Sequence, residues 1–134
     1  MITAVDSNIL MDVGIADVPR ARSVGKALER CAFEGSLVVC DIVLAELTRG
    51  FGPGDPAAWV RSLGIDYDPI GESAAVQAGR IHERFGRRTP RAGQRPVADF
   101  LIGAHALVQA DRLLTGDRGF YRDYFDGLSL LEPE

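Results

Sequence analysis

Two acids stand in settings that acids seldom occupy. Glu46 lies in Ile42-Val43-Leu44-Ala45-Glu46-Leu47, and Asp99 lies in Val97-Ala98-Asp99-Phe100-Leu101-Ile102. The second run is apolar nearly all round, which is the pattern of a buried helix. An ionised carboxylate withdrawn from water is costly unless it is paired, hydrogen-bonded or bound to a cation. Lys26 is the only lysine of the chain, so an arginine ion pair is the plain alternative for each acid taken singly. It accounts less well for all of them together. Asp6 and Asp117 each follow a short β-prone run, where an Asp alone is an ordinary cap. Carboxylates brought together repel, so either their pKa values rise or a cation neutralises them. An oxygen-only set without His or Cys suits Mg²⁺ or Mn²⁺ rather than Zn²⁺. Such an ion lowers the pKa of a bound water and offsets charge on a phosphodiester during in-line displacement. That chemistry needs no protein nucleophile.

The elements that must carry these acids alternate along the chain. Ile2 to Val5 reads as a strand ending at Asp6-Ser7-Asn8, followed by a helix with Ile9, Leu10 and Val13 at helical spacing. Pro19 opens a second helix with Val24, Ala27, Leu28 and Cys31 on one face. Leu37 to Cys40 is a second strand, and Asp41 is expected to cap a helix over 42–49. A short helix over 56–63 holds Trp59, and strand three is expected over 65–70. A helix over 73–85 leads into a Pro/Gly/Arg loop at 89–95, and Pro96 starts the helix that carries Asp99. Arg112 to Thr115 is a fourth strand, Gly119 to Tyr124 a helical turn, and Leu128 to Leu131 a fifth strand. Alternation of this kind predicts a parallel sheet with helices on both faces. Ligands of such sheets bind beyond the carboxyl ends of the strands, where the strand order reverses. If strands one and four are neighbours there, Asp6 and Asp117 meet.

The remaining features bound the reading. The chain has 134 residues, 46% of them hydrophobic, with a formal net charge of −4. One domain over 1–134 is expected, with a core large enough to need no disulfide. The net charge disfavours nonspecific coating of nucleic acid. No basic, apolar leader precedes Asp6 and no apolar run approaches a membrane span, so a cytoplasmic protein is expected, with Cys31 and Cys40 reduced. Arginine is concentrated at Arg80, Arg84, Arg87, Arg88, Arg91 and Arg95, interrupted only by Glu83. Arg84, Arg87, Arg88, Arg91 and Arg95 are candidates for phosphate-backbone contact, against the alternative of a solvated helix end. His82, expected to be exposed, and His105 lack a ligand partner at metal spacing. Asp12 is expected to face solvent. Trp59 and Phe51 are assigned to core packing, and Gly103 to a close approach of its helix to the sheet or to a second subunit.

Four segments in order carry a resemblance: Val5-Asp6-Ser7-Asn8-Ile9-Leu10, Ala45-Glu46-Leu47, Ala98-Asp99-Phe100-Leu101-Ile102-Gly103-Ala104-His105-Ala106, and Leu114-Thr115-Gly116-Asp117-Arg118-Gly119-Phe120-Tyr121. Together they resemble the PIN-domain family, and most of all the toxin subunits of VapBC toxin–antitoxin systems. The resemblance implies a three-layer α/β/α fold around a five-stranded parallel sheet. It implies that Asp6, Glu46, Asp99 and Asp117 form the acidic set, with Asn8 and Thr115 as secondary polar positions. It also implies Mg²⁺- or Mn²⁺-dependent endonucleolytic cleavage of RNA, a homodimer, and a small antitoxin partner. A catalytically inactive RNA-binding or assembly module on the same fold is the alternative. Other classes fit poorly. A receiver domain needs a late Lys, a dehalogenase-like phosphatase needs Asp-x-Asp where this chain has Asp6-Ser7-Asn8, and no Gly-x-Gly-x-x-Gly follows the first strand.

Overall fold

A computed structural model describes residues 1–15, 18–88 and 95–134, without the side chains of 87 and 88. Five strands form one sheet: β1 (Ile2–Val5), β2 (Ser36–Val39), β3 (Ile65–Tyr67), β4 (Arg112–Leu114) and β5 (Leu130–Leu131). Their order is β3-β2-β1-β4-β5, and every neighbouring pair is parallel. The described helices are α1 (Ser7–Gly14), α2 (Ala21–Glu34), α3 (Asp41–Phe51), α4 (Pro56–Ser62), α5 (Glu72–Arg88), α6 (Val97–Gln109) and α7 (Arg118–Tyr124). Parallel pairing forces a crossover between successive strands, and the helices supply it on both faces of the sheet. The expected α/β architecture is therefore the observed one. Among the described residues, no helix is long and apolar enough to cross a membrane.

The outer strands are shorter than the sequence reading gave them. β3 stops at Tyr67, because Pro69 has no N–H to offer a ladder. Asp68 still donates its backbone N–H to the Val39 carbonyl at 2.8 Å. β5 is confined to Leu130–Leu131. Strand two starts one residue earlier than expected, at Ser36, and α2 starts at Ala21, two residues after Pro19. The helical face expected on α2 is present: Val24, Leu28 and Cys31 are buried, and Ala27 packs beside them.

Asp41 does not cap α3. Cys40 occupies that position, and Asp41 lies in the first turn, where its Oδ1 accepts the Ile70 N–H at 3.1 Å. Asp12 does not face solvent either. It is 8% exposed and pairs with Arg20 Nε at 2.6 Å. Its position on the α1 face toward α2 makes the arginine a necessary counter-charge. His82 is half-buried, with Nε2 3.0 Å from the Arg95 carbonyl oxygen and its ring 4.7 Å from that of Phe100. His105 is fully buried on α6, with Nε2 2.9 Å from Asp68 Oδ2. It ties α6 to the end of β3, away from the acidic site.

The core between α6 and α7 is aromatic. The Phe100 ring lies 5.3 Å from Phe120, 5.9 Å from Phe125 and 6.1 Å from Tyr124. Gly103 serves this cluster. A Cβ there would stand 2.4 to 2.7 Å from three Phe125 ring atoms, so its missing side chain admits a neighbour's ring rather than the sheet. Phe51 and Trp59 form a smaller tilted pair, 5.6 Å between centroids, packed against the main core.

Candidate active site

β1 and β4 pair with Val5 opposite Leu114. The strand order reverses between them, since the chain moves outward to β2 and β3 on one side and to β5 on the other. Asp6 and the Thr115-Gly116-Asp117 turn thus leave the sheet side by side. The Asp6 N–H bonds the Leu114 carbonyl at 3.0 Å, closing the ladder at this edge.

Asp6 is also the N-cap of α1, with extended backbone and a carboxylate that accepts the Ser7 N–H at 2.8 Å. The cap bond fixes its rotamer. Its other oxygen, Oδ2, accepts from Thr115 Oγ1 at 2.8 Å, Tyr121 OH at 3.1 Å and Asn8 Nδ2 at 3.3 Å. Thr115 cannot turn away, because its oxygen already accepts the Asp117 N–H at 2.9 Å. Asn8 is held by the Gly116 N–H on its Oδ1 at 3.0 Å. The two secondary positions of the sequence reading, Asn8 and Thr115, therefore both touch Asp6.

Two contributors were not read from the sequence. Ser7 Oγ donates to Glu46 Oε1 at 3.0 Å and lies 3.5 Å from Asp6 Oδ1, so it joins the first acid to α3. Tyr121 is 3% exposed. Burial first, then the nearby Asp6 and Asp99 charges, push its phenol well above 10, so it stays a donor. An aromatic at the fourth position of a helix resembles any core residue, and only the docking of α7 shows what its hydroxyl meets.

Asp99 enters from the first turn of α6, where the helix N-terminus favours a negative charge. Glu46 and Asp99 are half-buried, not fully buried as their flanks implied. Asp6 is the acid that is withdrawn, at 4% exposure. Its pKa is raised by burial, opposed by the Thr115, Ser7 and Tyr121 hydrogen bonds and aided by the Asp99 charge. Glu46 is raised as well, by burial first and then by the Asp6 and Asp99 charges, against its bond from Ser7. Asp6, Glu46 and Asp99 thus feel one another's field.

Asp117 follows β4 as expected, and Arg95 sits between it and Asp99. The guanidinium is 3.2 Å from Asp99 Oδ2, 3.4 Å from Asp117 Oδ2, and 4.2 Å from the Phe120 ring centroid. The side chains as they stand do not gather three or more metal-ligating groups into one cluster among the described residues. The donor chemistry nevertheless suits a hard divalent ion: oxygen donors only, with Asp6 and Glu46 raised by burial and by neighbouring charge. Asp6, Glu46, Asp99 and Asp117 are the residues that would hold it. Of the other arginines, Arg84 is exposed and lies over the Phe85 ring at 5.0 Å. Arg91 and the side chains of Arg87 and Arg88 fall outside the described residues.

The raised carboxyls set a pH dependence. A native pKa above the unfolded one stabilises the fold below the unfolded value and is lost as pH rises through the native value. In EDTA, wild-type stability is expected to fall relative to Glu46→Gln as pH rises from about 4.5, the ordinary Glu value, and to level off once Glu46 is ionised in the folded protein. Thermal melts of the pair between pH 4 and pH 8 measure it. A difference that is flat across this range contradicts the raised carboxyl.

Comparison with known proteins places the fold. The VapBC2 complex from Rickettsia felis, solved with a DNA fragment from its promoter, has a chain similar to this one at a TM-score of 0.73 and 20% identity, covering 100% of both. A toxin–antitoxin complex from Klebsiella pneumoniae aligns at 0.68 and 19% over 98% of each chain. VapBC-1 from nontypeable Haemophilus influenzae aligns at 0.69 and 19% over 98% of each. At such identities these likenesses speak to the fold. Among proteins of curated function, none matches this sequence. The family model of the PIN domain matches residues 3–125, nearly the whole chain and every acid of the site, and the chain belongs to the PIN domain family.

Proposed function

We propose that this protein is a metal-dependent endoribonuclease and the toxin subunit of a VapBC-type toxin–antitoxin pair. The observation that carries the reading is the placement of Asp6, joined to Glu46 through Ser7, at the β1/β4 edge of a PIN fold, where the strand order reverses. Mg²⁺ or Mn²⁺ bound there would lower the pKa of a water and offset charge on the phosphodiester. The chain's own residues prepare the place. Ser7, Asn8, Thr115 and Tyr121 hold Asp6 in one rotamer through bonds from both its oxygens' neighbours. Ser7 sets the distance between Asp6 and Glu46. Phe120 packs edge-on to the buried Phe100 and supports the Arg95 guanidinium beside Asp99 and Asp117.

The partners follow the same reading. The similar chains come from toxin–antitoxin complexes, which supports a small antitoxin as partner here. A homodimer and an RNA substrate belong to the proposal, as does phosphate contact by the arginines that flank α6. The test is cleavage of total RNA by antitoxin-free protein with Mg²⁺ or Mn²⁺, beside EDTA. Discrete fragments that require the metal are expected. Folded protein that binds neither ion and cleaves nothing would instead support an assembly or RNA-binding module.

A further inference from the structure

A guanidinium between two carboxylates, in a cleft built for a cation, is a charge in the cation's position. Arg95 touches Asp99 and Asp117 at once and lies over the Phe120 ring, 4.2 Å from its centroid. Burial works against its charge, yet the two acids hold its pKa above the ordinary arginine value. While it bridges them, Asp99 and Asp117 each spend an oxygen on nitrogen. As they stand, the acids form no three-ligand cluster among the described residues.

We propose that Arg95 is the site's own counter-ion, which a divalent cation must displace to bind. This rests on the metal reading above. Arg95 neutralises Asp99 and Asp117 in the empty protein and limits their repulsion of Asp6 and Glu46. Incoming metal takes over the two carboxylates, and the guanidinium leaves them. Binding is therefore an exchange of one cation for another and is weaker than the four acids alone would give. The bridge can yield, because it is no sealed ion pair: the side chains of Arg95, Asp99 and Asp117 are 40%, 23% and 45% exposed. Water screens such pairs. Phe120 offers the planar group a resting face that does not depend on the acids.

The experiment is titration calorimetry with Mn²⁺ alone on wild type, Arg95→Ala and Arg95→Lys. Removing two partly exposed ion pairs should tighten Mn²⁺ binding about three- to tenfold in Arg95→Ala. Arg95→Lys keeps a competing charge and should stay near wild type. Thermal melts give a second readout that needs no activity: Mn²⁺ should raise the melting temperature of Arg95→Ala more than that of wild type. Equal or weaker Mn²⁺ binding by Arg95→Ala overturns the exchange and leaves the metal reading intact. Failure of wild type and Arg95→Ala alike to bind Mn²⁺, with far-UV spectra of folded protein, overturns both.

Discussion

Asp6→Asn is expected to lower metal-dependent RNA cleavage by more than about a hundredfold, since loss even of a group that only supports a metal ligand costs about 10- to 100-fold. Three donors converge on Asp6 Oδ2 and a fourth on Oδ1. An amide has one acceptor oxygen and an NH₂. Whichever way it turns, its NH₂ faces a donor that the carboxylate satisfied: Asn8 Nδ2 on one side, or the Ser7 N–H on the other. The geometry that presents Asp6 is lost with its charge. The fold should survive, because the substitution also removes a buried charge whose desolvation opposes folding. Initial rates with saturating Mn²⁺, set beside thermal melts, separate the two effects. A rate within about threefold of wild type would take Asp6 out of the reaction. Asp99→Asn is the companion, because it acts on the same field from α6.

The largest effect on stability is expected from Phe100→Ala, a loss of about 3–5 kcal/mol. Phe100 is 0% exposed, and four rings surround it, from His82 at 4.7 Å to Tyr124 at 6.1 Å. Removing it leaves a cavity lined by rings from α5, from α7 and from Phe125 just past it, which have little freedom to collapse. The same cluster supports the site. Phe120, against which Arg95 rests, packs edge-on to Phe100, and Asp99 precedes Phe100 on α6. Urea unfolding with an unchanged m-value would measure the loss. A cost below about 1 kcal/mol would show that the aromatic cluster does not hold α7 in place.

The sequence was legible where local pattern and topology agree. Alternating strands and helices specify a parallel sheet, and the strand-end positions of Asp6 and Asp117 then follow from the order of β1 and β4. Boundaries at β3 and β5 were less legible, because edge strands are cut by Pro69 and by the short reach of their single neighbour. Burial of the acids was read in the wrong order. Apolar flanks marked Glu46 and Asp99, yet both are half-buried, whereas Asp6 is withdrawn among α1, the turn after β4 and α7. Asp12 was misread for a related reason: its partner Arg20 stands at the N-cap of α2, and helical spacing within α1 carries no trace of it. Ser7 and Tyr121 were invisible as site residues. A serine after a cap and a tyrosine in an aromatic helix each have a commoner explanation.

The central pairing of β1 with β4 also sets a schedule. Asp6 leaves the ribosome ahead of Thr115, which holds it and lies 109 residues later in the chain. At about 5–20 residues per second, roughly 5 to 20 seconds of synthesis separate the two. Until β4 arrives, β1 has an open edge and Asp6 lacks Thr115, Asp117 and Tyr121. The cleft therefore cannot exist until β4 and α7 have been made, however early β1 and α1 are available.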